Sequence, residues 1–124
     1  MCDHLTQNEC LSRGLLGAGR TFPMAQVHDR SALFLLNVRS KQLLGVFVLR
    51  SEPGHKLVPE AWGGAFPVQF PVCHPAQHSL RSLPMELIRQ HLPDCVSAHR
   101  MTQELSEAQA NALVGLFASH GVFM

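Results

Sequence analysis

Cys73, His78, Cys95 and His99 are the residues whose types could most directly do chemistry. They read C-x4-H and, further on, C-x3-H, which offers zinc the sulfur and imidazole ligands it takes. The set lacks the closely spaced cysteine pair of familiar zinc motifs, and 8 histidines in 124 residues make such spacings easy to come by. Reduced, mostly buried thiols are the plainer use of Cys2, Cys10, Cys73 and Cys95. A catalytic set is harder to assemble. Cys73-His74 and Cys95 with His99 are Cys/His neighbours, but adjacency in sequence says nothing of adjacency in space. Ser79, Ser82 and Ser97 have no nucleophile-elbow context, and the carboxylates are scattered. Gly14, Gly17 and Gly19 are spaced like a phosphate loop, yet no Lys-Ser/Thr follows them. The sequence therefore predicts no enzyme and no cofactor. One aromatic stands apart from the core-patterned phenylalanines. Trp62 lies in the loop 59–64, where its ring either stacks on a base or ligand or plugs one end of a sheet, the commoner use of such a residue. Arg20, Arg39 and Arg50, with Arg81, would add a modest basic surface, although 8 arginines over this length are an ordinary solvated distribution.

The chain that must position these residues has one domain's worth of sequence, 1–124. Hydrophobic residues make up 46% and charged residues 15%, which excludes disorder by composition. A net charge of +1 argues against holding nucleic acid or an anionic membrane by bulk charge. No apolar run approaches the roughly 18 residues of a membrane span. The start, Met1-Cys2-Asp3-His4, has neither the basic end nor the apolar stretch of a signal peptide, so an intracellular protein, cytoplasmic or nuclear, is expected.

Local signals sketch the elements. Thr6 and Glu9 are spaced as a capping box, and Gly14 supplies the left-handed stop of a first helix. Gly17 and Gly19 mark 15–20 as a tight loop. Two apolar runs, 32–38 and 43–49, flank a polar turn and predict a hairpin with a four-residue loop. Neither run alternates, so both faces should be covered. Val68, Phe70 and Val72 alternate with Gln69 and Pro71, which predicts a half-buried edge or bulged strand. Pro84 and Pro93 bracket a helix with Leu87, Ile88 and His91 on one stripe. A short strand is expected within 96–102. Ser106 and Gln109 form a second capping box, followed by a helix that packs Ala110, Leu113, Val114 and Phe117 on the core, with Gly115 marking close packing and Gly121 the end. The fold class is α+β: a small, strongly bent antiparallel sheet, a partly open barrel, flanked by about three helices.

Taken in order, these motifs resemble the plant Development and Cell Death (DCD) domain. Thr6…Glu9-Cys10-Leu11 is similar to that family's T-x-x-E-C-L, and the stretch Leu16-Gly17-Ala18-Gly19 to its L-F-G-L-P loop. Leu33-Phe34-Leu35 and Leu43-Leu44-Gly45-Val46-Phe47 look like its L-F-L and L-x-G-I/V-F strands. Pro59-Glu60-Ala61-Trp62 resembles D-P-x-A-W, Phe66-Pro67-Val68-Gln69-Phe70 resembles F-P-A-Q-V, and Leu116-Phe117 matches the close of its last helix. Val58 replaces the acidic residue before Pro59, and Leu16 and Gly19 stand where the family has Phe and Pro. The resemblance implies a non-catalytic interaction or regulatory domain of development, stress response and programmed cell death, with a protein as its partner. The order of elements is also similar to the PUA, EVE and YTH barrels, which implies RNA or modified-base binding as the alternative. Either way the expected binding face comprises Leu16, Gly17, Gly19, Arg20, Phe22, Arg39, Arg50 and Trp62.

Overall fold

The computed structural model describes residues 4–20, 22, 24–28, 30–74, 80–97, 100–101 and 104–123. Helix α1 (His4–Arg13) ends at Gly14, whose φ of 61° is the left-handed turn the sequence predicts. Strand β1 (Leu15–Ala18) follows directly. The glycine-rich stretch is thus a strand, and its glycine serves packing rather than a turn, as shown below. The hairpin forms from β2 (Leu33–Asn37) and β3 (Gln42–Leu49), with Asn37 paired to Gln42 across a four-residue turn. Asn37 builds that turn: its Oδ1 accepts from the amides of Arg39 and Ser40 at 3.0 and 3.1 Å. Its Nδ2 donates to Gln7 of α1 at 2.7 Å, which satisfies a side chain that is otherwise fully buried.

Among the described residues one sheet holds seven strands; five run in the order β1, β5 (Val68–Cys73), β3, β6 (Arg81–Pro84) and β9 (Val122–Phe123). Strand β2 is added to β3, and β4 (Gly54–His55) to β5. All pairings are antiparallel. One edge of β3 is divided between two partners, Gln42–Gly45 pairing β6 and Val48 with Leu49 pairing β5. The sheet does not close into a barrel, and with its three helices it gives the expected α+β class; the likeness to PUA-type barrels gains no support.

Strand β5 is also interior rather than an edge. It pairs β1 along one side and β4, then β3, along the other. Pro71 sits where the second partner changes, and its carbonyl accepts from the Arg50 amide at 2.9 Å. Toward β1 the bond runs from the Val72 amide to Gly14 O, so the missing donor of Pro71 leaves no rung empty on that side. Gln69 is buried too, for a reason given below.

Helix α2 (Met85–His91) starts after Pro84 and stops before Pro93, as the prolines predict. It buries Met85 and Ile88, while His91 is exposed, so the expected stripe is rotated toward the first turn. The single strand expected within 96–102 is a two-stranded ribbon, β7 (Val96–Ser97) with β8 (Arg100–Met101); Thr102 lies outside the described residues. Helix α3 (Glu107–His120) carries the expected capping box, with Ser106 accepting from the Gln109 amide at 3.1 Å and Gln109 Oε1 from the Ser106 amide at 2.9 Å. Leu113 and Phe117 are its buried residues, and Phe117 stacks on Phe34 at 5.7 Å over Gly45. Arg81 closes its far end, donating to Phe117 O and Ala118 O at 3.0 and 3.3 Å and lying 4.3 Å over the Phe123 ring of β9 (Val122–Phe123).

Gly115 does not mark close packing. It is exposed, and a Cβ built there meets nothing within 4 Å among the described residues. Gly115→Ala should therefore stabilise the domain by about 0.5–1 kcal/mol through helix propensity alone, read as a rise in the urea midpoint with an unchanged m-value.

Candidate functional site

The sheet presents two differently covered faces around β1. Strand alternation sends Leu15 and Gly17 one way and Leu16 and Ala18 the other. On the Gly17 side lies the loop that carries Trp62. The ring of Trp62 is 8% exposed, and Phe66 meets it edge-on at 5.4 Å. Gly17 lets them approach, since a Cβ there would stand 2.7 Å from both the indole and Phe66 Cβ. Three further groups hold the loop. Gln69 Oε1 accepts from the Val58 amide at 2.7 Å, while its Nε2 donates to the carbonyls of Val58 and Phe66 at 3.0 and 3.3 Å. That double use of an amide side chain is why Gln69 points inward. Glu9 of α1 accepts a short hydrogen bond from the Trp62 backbone amide, and Arg13 pairs with Glu9 at 3.3 Å and reaches Glu60 at 4.0 Å.

The Glu9 carboxylate is therefore spent on the loop, and the capping box expected at Thr6 is corrected: the helix already begins at His4, and Glu9 faces Trp62. Trp62 itself is left-handed at φ 50°, a conformation that non-glycine residues rarely hold without surrounding support. Its Nε1 is buried and finds no hydrogen-bond partner among the described residues. The Cys10 thiol is the polar group beside it, and the indole slightly favours the thiolate, but desolvation outweighs this and pushes the thiol up to about 11. Burial also raises Cys95, with Asp94 adding to it. Cys10 and Cys95 are thus protonated, inert core thiols; Cys73 is exposed, and all three are free.

On the Leu16 side the described residues leave a cleft. About 570 Å³ in volume, it runs between β1, the connection leading to β2, β2 itself and the first half of α3. Leu16, Phe22, Phe34, Phe70, Leu105 and Leu113 supply apolar lining. Phe22 is fixed edge-on against Phe70 at 5.4 Å. The rim is polar and of mixed sign, with His28 and Arg30 from the connection and Glu104, Glu107 and Asn111 around the start of α3. Such a floor and rim suit an apolar side chain or short segment held by a few polar contacts. Among the described residues no group of three or more His, Cys, Asp or Glu side chains is placed to hold a metal. His78 and His99, half of the zinc set considered from sequence, and Ser79 lie outside them.

The expected binding face is thereby distributed. Leu16, Gly17 and Phe22 line the cleft. Gly19 and Arg20 are exposed beyond the end of β1, Arg39 is exposed in the hairpin turn, and Arg50 is exposed after β3. Trp62 is buried behind Gly17, where it plugs the sheet and offers no open ring face. Sequence reading overlooked the α3 side of the cleft, Glu104 to Leu113. The signal available was the Ser106 capping box, which places that helix start but not what it faces.

These elements occur along the chain in the order of one known family, whose model, the Development and cell death domain, matches residues 1–117. The chain belongs to that family. No curated protein and no solved structure matches it. The match spans both faces of this DCD domain, from the Glu9–Trp62 clasp to Phe117, and fits a role in development and cell death. Among the described residues no helix of the DCD domain is long and apolar enough to cross a membrane.

Proposed function

We propose that this DCD domain is a non-catalytic, intracellular interaction module of development, stress response and programmed cell death, and that it captures an apolar segment of a partner protein in the cleft between β2 and α3. The observation that carries this reading is the open cleft, with an apolar floor continuous with the core and a rim of mixed charge. The sequence offers no nucleophile–base pair and no cofactor motif, which supports a binding role over a catalytic one. Free cysteines at positions 10, 73 and 95 accord with a reducing compartment. The nucleic-acid alternative placed a base on Trp62, whose ring is buried, and no other observation favours it.

Ala110 lines the cleft from α3, so Ala110→Trp fills it without opening the core. The expected result is a loss of about tenfold or more in partner capture, corresponding to at least about 1.4 kcal/mol. Arg39→Glu, on the remote hairpin turn, leaves capture unchanged. Capture that survives Ala110→Trp and fails with Arg39→Glu would refute the reading.

A further inference from the structure

Two histidines meet at one end of the domain. His91 is the last residue of α2 and His120 the last of α3. One turn before them, Ile88 and Phe117 are buried in the same hydrophobic cluster, together with Met85, Leu83 and Leu113. Residues three apart share a helix face, so a packed core sets where both imidazoles emerge. Their ring centres stand 5.8 Å apart with planes tilted by 32°, and both side chains are exposed.

We infer that His91 and His120 form a two-histidine site for a borderline-soft divalent transition-metal ion such as Ni²⁺, Zn²⁺ or Cu²⁺. Such an ion sits about 2.0–2.1 Å from one nitrogen of each ring and hence about 3.2 Å from each ring centre, so two rings sharing it stand at most about 6.4 Å apart. The observed 5.8 Å lies inside that reach. Tetrahedral coordination would bring the centres to about 5.2 Å, a small closure that exposed side chains can make. Each histidine ends a helix. Of the cations on these elements, Arg89 is paired with Glu86 at 2.5 Å, and Arg81 is held on the carbonyls of Phe117 and Ala118. Two protein ligands leave further positions for water or for a donor from a bound partner, so the site is open and its affinity moderate. It uses none of Cys73, His78, Cys95 and His99. Occupied, it cross-links the ends of α2 and α3, and α3 walls the cleft.

Thermal unfolding of the whole chain with and without NiCl₂ tests this. At about 100 µM Ni²⁺ the midpoint should rise by about 3–6 °C, through binding to the folded state alone. MgCl₂, which prefers oxygen ligands, should give no shift. His91→Asn and His120→Asn, both surface changes, should keep the metal-free midpoint and lose the rise; His91→Gln repeats the test with a different side chain. The proposal is overturned if the wild-type chain shows no rise, or if the rise persists in both variants, which would place the metal on other histidines or cysteines. A rise confined to millimolar Ni²⁺ would mean an adventitious ion only, and overturns it too.

Discussion

Replacing Gly17 by alanine should destabilise this DCD domain by about 2–3 kcal/mol, an unusually large cost for adding one methyl group to a strand. The backbone at Gly17 is not left-handed, so conformational freedom is not the reason. The new Cβ would lie 2.7 Å from Phe66 Cβ and 2.7 Å from the indole of Trp62. Phe66 Cβ is the stem of its side chain, so its loop backbone must shift, and overpacking of this kind costs typically 1–3 kcal/mol. The loop cannot yield freely, because Gln69 holds Val58 and Phe66 and Glu9 holds the Trp62 amide. Gly19→Ala is the natural control: among the described residues a Cβ there meets nothing within 4 Å, and the expected change is below about 0.5 kcal/mol. Urea unfolding of the two variants makes the comparison.

Trp62→Ala should cost about 3 kcal/mol, again read from urea unfolding. Emptying a buried indole site typically costs 3–5 kcal/mol. The lower end applies because the variant also removes Nε1, a donor buried without a partner. Trp62→Phe separates these terms. It keeps much of the apolar volume, discards the unpartnered N–H, and should change stability by less than about 1 kcal/mol. The two sites are also coupled. Once the indole is gone, a methyl on Gly17 has room on that side, so Gly17→Ala with Trp62→Ala should cost less than the sum of the singles by about 1 kcal/mol. A ring that instead faced solvent for stacking would make Trp62→Ala nearly neutral and the pair additive.

What the sequence disclosed was largely local. Gly14, Pro84, Pro93 and the Ser106–Gln109 box act within a few residues, and each is where spacing puts it, while the four-residue hairpin turn falls one residue earlier than the runs imply, because Asn37 caps it. The failures share a non-local cause. Glu9 matches a capping box, but its carboxylate is claimed by a residue 53 positions away. Gln69 looks outward by polarity, yet two loop carbonyls and an amide call it inside. Pro71 argues for an edge, and only the change of partner along β5 makes an interior place tolerable. Gly17 and Gly115 are indistinguishable as letters; one is pressed against Phe66 and the other faces open space. The cleft was half legible, since Leu16, Gly17 and Phe22 were singled out, whereas the α3 wall required knowing which helix lies across from β2.

The division of the domain into a sealed tryptophan side and an open cleft is the core of the account. Backbone amide shift mapping by NMR tests it most directly, with a captured partner peptide and, separately, a mixed single-stranded RNA pool added to the labelled domain. The peptide should move Leu16, Phe22, Phe34 and Ala110 to Leu113 and leave Arg39 and Arg50 in place, and RNA should move nothing. RNA-dependent shifts of Arg20, Arg39, Arg50 and the Trp62 indole, weakening with added salt, would contradict it.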